Sequence, residues 1–308
     1  MADNLFDMLI FVRVAEAGSL SGAARELRLS LAVVSRRLAR LEERFGVRLA
    51  NRTTRSLTLT EEGARFHGRC VRILAEIDDA EAEVARGRDT AVGHLRITST
   101  FAFGLRWLAP LLREFQEAHP GLHVHLDTSD TVANIIENGY DLAIRFGSLA
   151  DSSLIARQLA ANFRLICAAP SYLASRGRPQ RPEDLLAHDV IAFGDPASTD
   201  WTFLDGRSIA VRGSLSTNNG ELAHRWALDG AGLVLKSLWD VHDDLNAGRL
   251  EVVLPGFRLP AAPIHAIYPH SRLSAAKVRL CVEFLAARMK AVKIGGELRA
   301  HRHRHPAD

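Results

Sequence analysis

Lysine is nearly absent from this 308-residue chain: Lys236, Lys277, Lys290 and Lys293 are the only four among 39 basic residues. Positive charge is therefore almost all guanidinium, the group suited to forked contacts with phosphate and guanine; GC-rich coding accounts for the same bias. Cysteine is scarce as well. Cys70, Cys167 and Cys281 are far apart, odd in number and without CxxC spacing, which excludes a disulfide framework and a zinc cluster and fits a reducing, cytoplasmic setting. Long apolar runs are missing: "MLIFV" near the start is too short to span a bilayer, and acids stand where a signal peptide carries positive charge. Enzyme signatures are also lacking. There is no Walker loop and no HExxH, and "GSLSG" has Leu20 where a nucleophile elbow needs serine.

What is present is ordinary for globular protein, with 47% hydrophobic and 24% charged residues. The net charge of +3 hides an asymmetry. Residues 1–60 carry ten arginines against six acids, whereas residues 61–90 carry five basic and eight acidic side chains. A chain of this length accommodates two or three domains, and the basic end reads as one of them.

Within that end, Phe6, Leu9, Ile10 and Val14 recur at helical spacing and Gly18 closes the segment. Ser19 or Ser21 can cap a second short helix with Ala23, Ala24 and Leu27, and Ser30 a third. On the third, Val34, Leu38, Leu41 and Phe45 form one apolar stripe; the opposite arc holds Ala32 and Arg36, flanked by Ser35 and Arg40. Two short helices with a tight turn, the second presenting small and forked-donor residues, match the geometry that enters a DNA major groove. An ordinary solvated face has the same composition. After Gly46, "VRLANRTTRSLTLT" reads as two strands around a tip carrying Arg52, Thr54 and Arg55, a wing suited to phosphate or minor-groove contact.

Through "GSLSGAARELRLS", "VVSRRLARLEERFGVRL" and "NRTTRSLTLTEEG", in that order, the chain resembles the LysR-type transcriptional regulators. The resemblance implies groove contacts at Leu31, Ala32, Ser35 and Arg36 and a wing contact at Arg55. Two departures stand out: Leu31 and Ala32 replace a common Gln or Ser followed by Pro or Ser, and Ala50 replaces a common Phe or Leu. Leu31 can neither donate nor accept a hydrogen bond, so any base it meets it meets apolarly, as with a thymine methyl.

Thr60 can cap a long helix with Glu61 and Glu62 in its first turn. Phe66, Cys70, Ile73, Ile77, Ala80 and Val84 follow at spacings of four and three, a heptad seam for dimerisation or for packing on the helix's own domain. The resemblance favours the dimer, whose two reading helices would match an inverted repeat.

From Gly93, short apolar strands alternate with helical stretches near 103–118, 131–139, 219–230 and 274–290, predicting an α/β fold with largely parallel sheets. The phrases "GHLRITS", "GYDLAIRFG", "SSLIARQLA", "CAAPSYLASRGRP", "PEDLLAHDVI", "NNGELAHRWALDGAGL" and "LNAGRL" extend the family resemblance to about residue 290. It implies a winged helix-turn-helix (1–60), a linker and dimerisation helix with hinge (61–90), and a two-lobed, periplasmic-binding-protein-like effector domain (91–292). One lobe takes about 93–162 and 266–292, the other about 163–265; residues 293–308 form a basic His/Arg tail, read as a disordered end.

Ligands of such folds sit at strand carboxyl ends. Ser99 and Thr100 follow the first strand, where they can cap a helix and leave N–H groups for an anion such as a carboxylate; Thr128 and Ser129 follow the second. Corresponding family positions add Phe146, Trp201 and Asn218, although Trp201 also reads as core. Lys236, alone in apolar "GLVLKSLW", is a counter-ion for an anionic ligand, or a partner of Asp240, or a side chain reaching solvent. The expected partners are double-stranded DNA, a small-molecule effector, a second copy or a tetramer, and RNA polymerase as a further candidate, with neither cofactor nor metal. The rival reading is a small-molecule binding protein or enzyme whose helical front end only dimerises.

Overall fold

A computed structural model describes residues 2–52, 57–86, 90–130, 135–136, 138–147, 154–194, 198–272, 275–292 and 294. The amino-terminal unit comprises α1 (Ala2–Ala17), α2 (Leu20–Glu26), α3 (Leu31–Phe45), β1 (Ala50–Arg52) and β2 (Leu57–Leu59), followed by α4 (Glu61–Arg86). Local signals set these boundaries. The Ser19 hydroxyl accepts the Gly22 N–H at 3.1 Å and Ser30 that of Val33 at 3.3 Å, while Gly46 ends α3 with φ 68°. Thr60 does the same for α4, accepting the Gly63 N–H at 3.0 Å.

Val34, Leu38 and Leu41 are buried against Ile10, Phe11 and Val14 of α1 and Ala23 of α2. Each contributes about 1.5–3 kcal/mol by burial, and these contacts rather than helix propensity hold α3 in place. Phe45 departs from the expected stripe: it is 42% exposed. At the helix end its ring is covered by Phe66 of α4, edge-on at 4.9 Å, rather than by the three-helix core.

The first lobe is built from β3 (Gly93–Ser99), α5 (Phe101–Phe103), a π-turn (Gly104–Leu108), α6 (Ala109–Ala118), β4 (Leu122–Thr128), β5 (Leu142–Phe146) and β6 (Leu154–Ala160). The second contains β7 (Arg164–Ala168), α7 (Pro170–Arg176), a 3-10 turn (Pro182–Ala187), β8 (Ile191–Phe193), β9 (Ser198–Thr202), β10 (Ser208–Arg212), β11 (Leu215–Thr217), α8 (Gly220–Leu228), β12 (Val234–Ser237), α9 (Leu238–Asn246) and β13 (Glu251–Val253). The chain then returns to the first lobe as β14 (Ile264–Pro269) and α10 (Ala276–Ala291).

The expectation of largely parallel sheets is corrected. In the five-stranded sheet, ordered β4-β3-β5-β14-β6, only β3 pairs in parallel with β4 and β5; β14 is antiparallel to β5 and β6. In the sheet ordered β12-β7-β13, β7 is antiparallel to both neighbours. Connectivity is the reason: β6 leaves the first lobe and β14 re-enters it, while β7 and β13 do the reverse for the second, so each pair runs in opposite senses. The helix expected near 131–139 is also absent from the described part of that stretch, where 135, 136, 138 and 139 are in turns; 131–134 and 137 lie outside the described residues. The seven-residue α7 spans too few turns for its periodicity to register in the sequence.

Asn162 staples the two crossing segments. It is 2% exposed, its Nδ2 donates to the Ala262 carbonyl at 2.8 Å, and its Oδ1 accepts from Ser237 at 2.8 Å. Beside it, Trp239 of α9 inserts into the first lobe's core against Phe103 and Trp107 and donates its indole N–H to Ala161 O at 3.0 Å. Burial of that ring gives the junction between lobes its own apolar anchor.

Candidate nucleic-acid interface and interlobe cavity

The outward face of α3 carries Leu31 at 52% exposure, with Ala32, Arg36 and Arg40 also exposed and Ser35 half-buried. Adjacent arginines are sorted by the helix. Arg36 lies along the surface, its Nε donating to Ala32 O at 3.3 Å. Arg37, one position on, turns inward to buried Asp7 at 2.8 Å and lies over the Phe6 ring at 4.8 Å, clamping α3 to α1. The outer guanidinium thus stands on a helix whose orientation the inner one helps to hold. Behind it, Glu42 Oε1 accepts the N–H groups of Leu49 and Ala50, at 2.9 and 3.2 Å, fixing the entry to the wing. Ala50 is fully buried there, opposite Leu59, so its small side chain is a core feature. β1 and β2 pair from Ala50↔Leu59 to Arg52↔Leu57; Thr54, Arg55 and the Arg52 side chain lie outside what is described.

The heptad seam of α4 is divided, which corrects its reading as one dimerisation stripe. Cys70 is fully buried in the amino-terminal core and Phe66 packs on Phe11 at 5.5 Å, so both are used within the chain. The reason is proximity: the first turns of α4 follow directly from the wing and complete the unit's core. Further along, Ile73 is 38% exposed and Ile77 half-buried; the side chains of Ala80 and Val84 lie outside the description.

A cavity of about 380 Å³ opens between the lobes. Phe146, Phe193, Ile191 and Trp201 supply apolar walls; Thr100, Asp130, Arg164, Thr199, Lys236 and Asp240 supply polar ones. Four predicted residues therefore meet there: Thr100, Phe146, Trp201 and Lys236. Trp201 is also core, at 3% exposure. Lys236 is buried and lies 2.8 Å from Asp240 while donating to Gly220 O at 3.0 Å, so the ion pair and the cavity wall are one arrangement.

The other four do not line the cavity. Ser99 is fully buried, its hydroxyl without a hydrogen-bond partner. Thr128 faces Gly104, where a Cβ would come within 2.5 Å of its methyl. Ser129 donates its backbone N–H to Ser99 O at 2.9 Å. Asn218 is exposed, and the α8 cap is its neighbour Asn219, whose Oδ1 accepts the N–H groups of Glu221 and Leu222 at 2.9 and 3.0 Å. Capping at α5 is corrected too: Thr100 makes no side-chain cap, and Asp130 takes the Phe101 N–H instead.

Two cavity residues escaped the sequence reading, Asp130 and Arg164. Arg164 opens β7, pairs there with Ser237, and is solvent-accessible; its guanidinium has no hydrogen bond or ion pair among the described residues. Surrounding protein lowers its pKa from the ordinary guanidinium value, because the charged form loses hydration there. No local pattern marks either residue; both matter only through what the other lobe brings near. Beneath them His224 is fully buried, with Nε2 2.9 Å from Asp244 and Nδ1 3.2 Å from Arg106. Burial first, then the Lys236 and Arg106 charges, hold its pKa below the ordinary histidine value.

All three cysteines are buried, and burial pushes the Cys70 and Cys167 thiols up to about 12, which removes them from thiolate chemistry near neutral pH. Among the described residues, no group of three or more His, Cys, Asp or Glu side chains is placed to hold a metal ion, and no helix is long and apolar enough to cross a membrane. The HRHRH segment, 301–305, lies outside the described residues.

Comparison with known proteins follows the same division. Residues 5–64 match the family described as "Bacterial regulatory helix-turn-helix protein, lysR family", and residues 88–290 match "LysR substrate binding domain". The chain is 39% identical to the HTH-type transcriptional regulator DmlR of Escherichia coli K12 over 91% of its length and 93% of that protein's. A solved structure of CrgA, a LysR-type transcriptional regulator from Neisseria meningitidis, is 35% identical with a TM-score of 0.61, covering 92% of this chain and 98% of the other. The full-length structure of the Vibrio cholerae virulence activator AphB is 27% identical with a TM-score of 0.59, covering 92% and 99%.

Proposed function

We propose that this chain, which belongs to the LysR family of DNA-binding transcriptional regulators, reads an inverted-repeat operator through paired α3 helices and responds to a small carboxylate held between its lobes. The observation that carries the DNA half is the outward face of α3: Leu31, Ala32, Arg36 and Arg40 stand clear of a buried stripe that fixes the helix rigidly. Arg36 is the base-reading donor, Ser35 and Arg40 flank it, and Arg52, Thr54 and Arg55 of the wing contact the backbone or minor groove. Dimerisation uses α4 beyond the turns committed to the core, from Ile73 onward. The site of action in this reading is the cytoplasm, and transcription changes through the operator geometry that RNA polymerase meets.

Fluorescence anisotropy on an operator fragment, recovered by mapping genomic binding sites, tests the DNA half. Arg36→Ala weakens binding by about 1–3 kcal/mol and relaxes base choice at one position in each half-site. Affinity of the wild type falls steeply with salt, because arginine–phosphate contacts release counterions. Affinity and base preference untouched by Arg36→Ala would sink the α3 assignment.

The carboxylate half rests on Arg164, a cation whose side chain has no partner among the described residues, in a cavity with aromatic and aliphatic walls. A ligand carboxylate there gains a forked, charge-assisted contact in a partly dehydrated setting. In a thermal-shift screen of small carboxylic acids, stabilising compounds are expected to lose their effect in Arg164→Gln; retention of the full shift by that variant overturns this role.

A further inference from the structure

Asp130, which follows β4 in the first lobe, touches both lobes. One carboxylate oxygen accepts the Phe101 N–H of its own lobe at 2.8 Å; the other accepts the Gly220 N–H of the second lobe at 2.7 Å. Gly220 is confined at this point: a Cβ would meet Lys236 Nζ at 3.3 Å and Asp130 Oδ2 at 3.5 Å. Lys236 itself is committed, to Asp240 and to Gly220 O. The polar end of the cavity is thus satisfied by the chain's own carboxylate, while the Arg164 guanidinium has no partner among the described residues.

We propose that Asp130 is a built-in anion that determines effector specificity. It occupies the two backbone donors that a ligand carboxylate would otherwise use, ties the lobes through them, and directs the ligand's anionic group to Arg164. This deepens the effector-site reading and rests on it. The physical basis is twofold. N–H bonds to an ionised carboxylate are stronger than neutral ones, so Asp130 holds its place. A second carboxylate brought to the same donors meets a like charge at close range in a poorly screened cleft, which disfavours it. A second link runs beside it: Arg106 of the first lobe donates to Glu221 Oε1 and to Asp240 O of the second, both at 2.7 Å. The lobes therefore stay joined when Asp130 is altered, and its effect on ligand choice can be measured separately.

The test uses the full-length protein with acetate and formate as probes, against chloride at equal ionic strength. Asp130→Ala leaves a hole of carboxylate size; its Tm is expected to fall below wild type and to recover saturably with formate, while the wild type responds to formate far less. An Asp130→Ala variant with wild-type Tm, or equal responses to formate, overturns the proposal. Asp130→Asn keeps the side-chain shape and one of the two acceptors, its Nδ2 facing the other backbone N–H, so its Tm is recorded first and its affinity is measured where it is fully folded. With the repelling charge gone, acetate affinity measured by tryptophan fluorescence is expected to rise about tenfold, equivalent to about 1.4 kcal/mol; unchanged affinity overturns the proposal. Arg164→Gln separates the two readings. If it abolishes acetate binding while both Asp130 variants bind as wild type, the Asp130 role alone fails; if acetate acts on none of the proteins, the effector site fails with it.

Discussion

Asp141→Ala is expected to destabilise the effector domain by about 3–5 kcal/mol, the cost of leaving buried charges without their partner. Asp141 is 1% exposed and stands just before β5. Its Oδ2 accepts the Arg96 N–H at 2.9 Å while its own N–H donates to Arg96 O at 2.9 Å, so side chain and backbone together extend the β3–β5 pairing. Two buried cations converge on it: Arg272 Nε at 3.2 Å and Lys277 Nζ at 3.9 Å, 8% and 3% exposed. Lys277 also donates to His94 O at 2.6 Å, which ties α10 to β3. Truncation to alanine removes the carboxylate that both cations share and leaves the Arg96 N–H without its side-chain acceptor, and the remaining contacts, His94 O for Lys277 and Glu76 at 4.0 Å for Arg272, replace it only in part. Asp141→Asn keeps an acceptor for Arg96 and is expected to lose less. Urea unfolding of the three proteins checks the order; an alanine variant within about 1 kcal/mol of wild type would show that water or a neighbouring acid takes over the cations.

Gly63→Ala is expected to dislodge the amino-terminal unit while leaving the lobes folded. A Cβ at Gly63 would lie 1.9 Å from the Leu49 carbonyl oxygen and 2.8 Å from its carbon. Both are backbone atoms, so no side-chain rotation relieves the overlap. Relief requires α4 to move off β1, which breaks the Thr60 N–H bond to Leu49 O (3.0 Å) and lifts Phe66 and Cys70 from the core they complete. Helix propensity favours alanine by at most about 1 kcal/mol, against overpacking strain of about 3 kcal/mol or more for a contact this short. Strain wins. Calorimetry should show an early transition for the amino-terminal unit and loss of operator binding, with the ligand-responsive transition unmoved. A variant that binds operator with wild-type affinity and melts as wild type would show that α4 does not pack on β1 this closely.

The readings that came through best depended on neighbours within one or two turns. Ser30 and Gly46 bracket α3 because capping needs only a hydroxyl and a glycine next to the helix, and Val34, Leu38 and Leu41 are buried because a 3.6-residue period leaves one stripe to cover. Phe66 and Cys70 fill the chain's own core, the alternative that the heptad spacing left open beside dimerisation, because the same periodicity serves a core within the chain and a seam between chains; Phe45, expected in the α3 stripe, sits at its end against Phe66. Nothing local says which surface covers a stripe. The expected anion site failed similarly: Ser99, Thr128 and Ser129 stand at strand ends as predicted, yet the donor at Phe101 is taken by Asp130 from 29 positions away.

By itself the sequence determined the amino-terminal helices, the wing, the long linker helix, the family and the existence of two strand-and-helix lobes, since each rests on short-range periodicity, capping or a contiguous motif. Only the tertiary structure decided strand direction, the division of α4 between core and exposed surface, and the make-up of the cavity. Asp130 and Gly220 are 90 residues apart, and Arg106 and Asp240 134 apart. Which charged groups the protein pairs with one another is settled by partners that chain topology, not sequence proximity, brings within hydrogen-bonding distance.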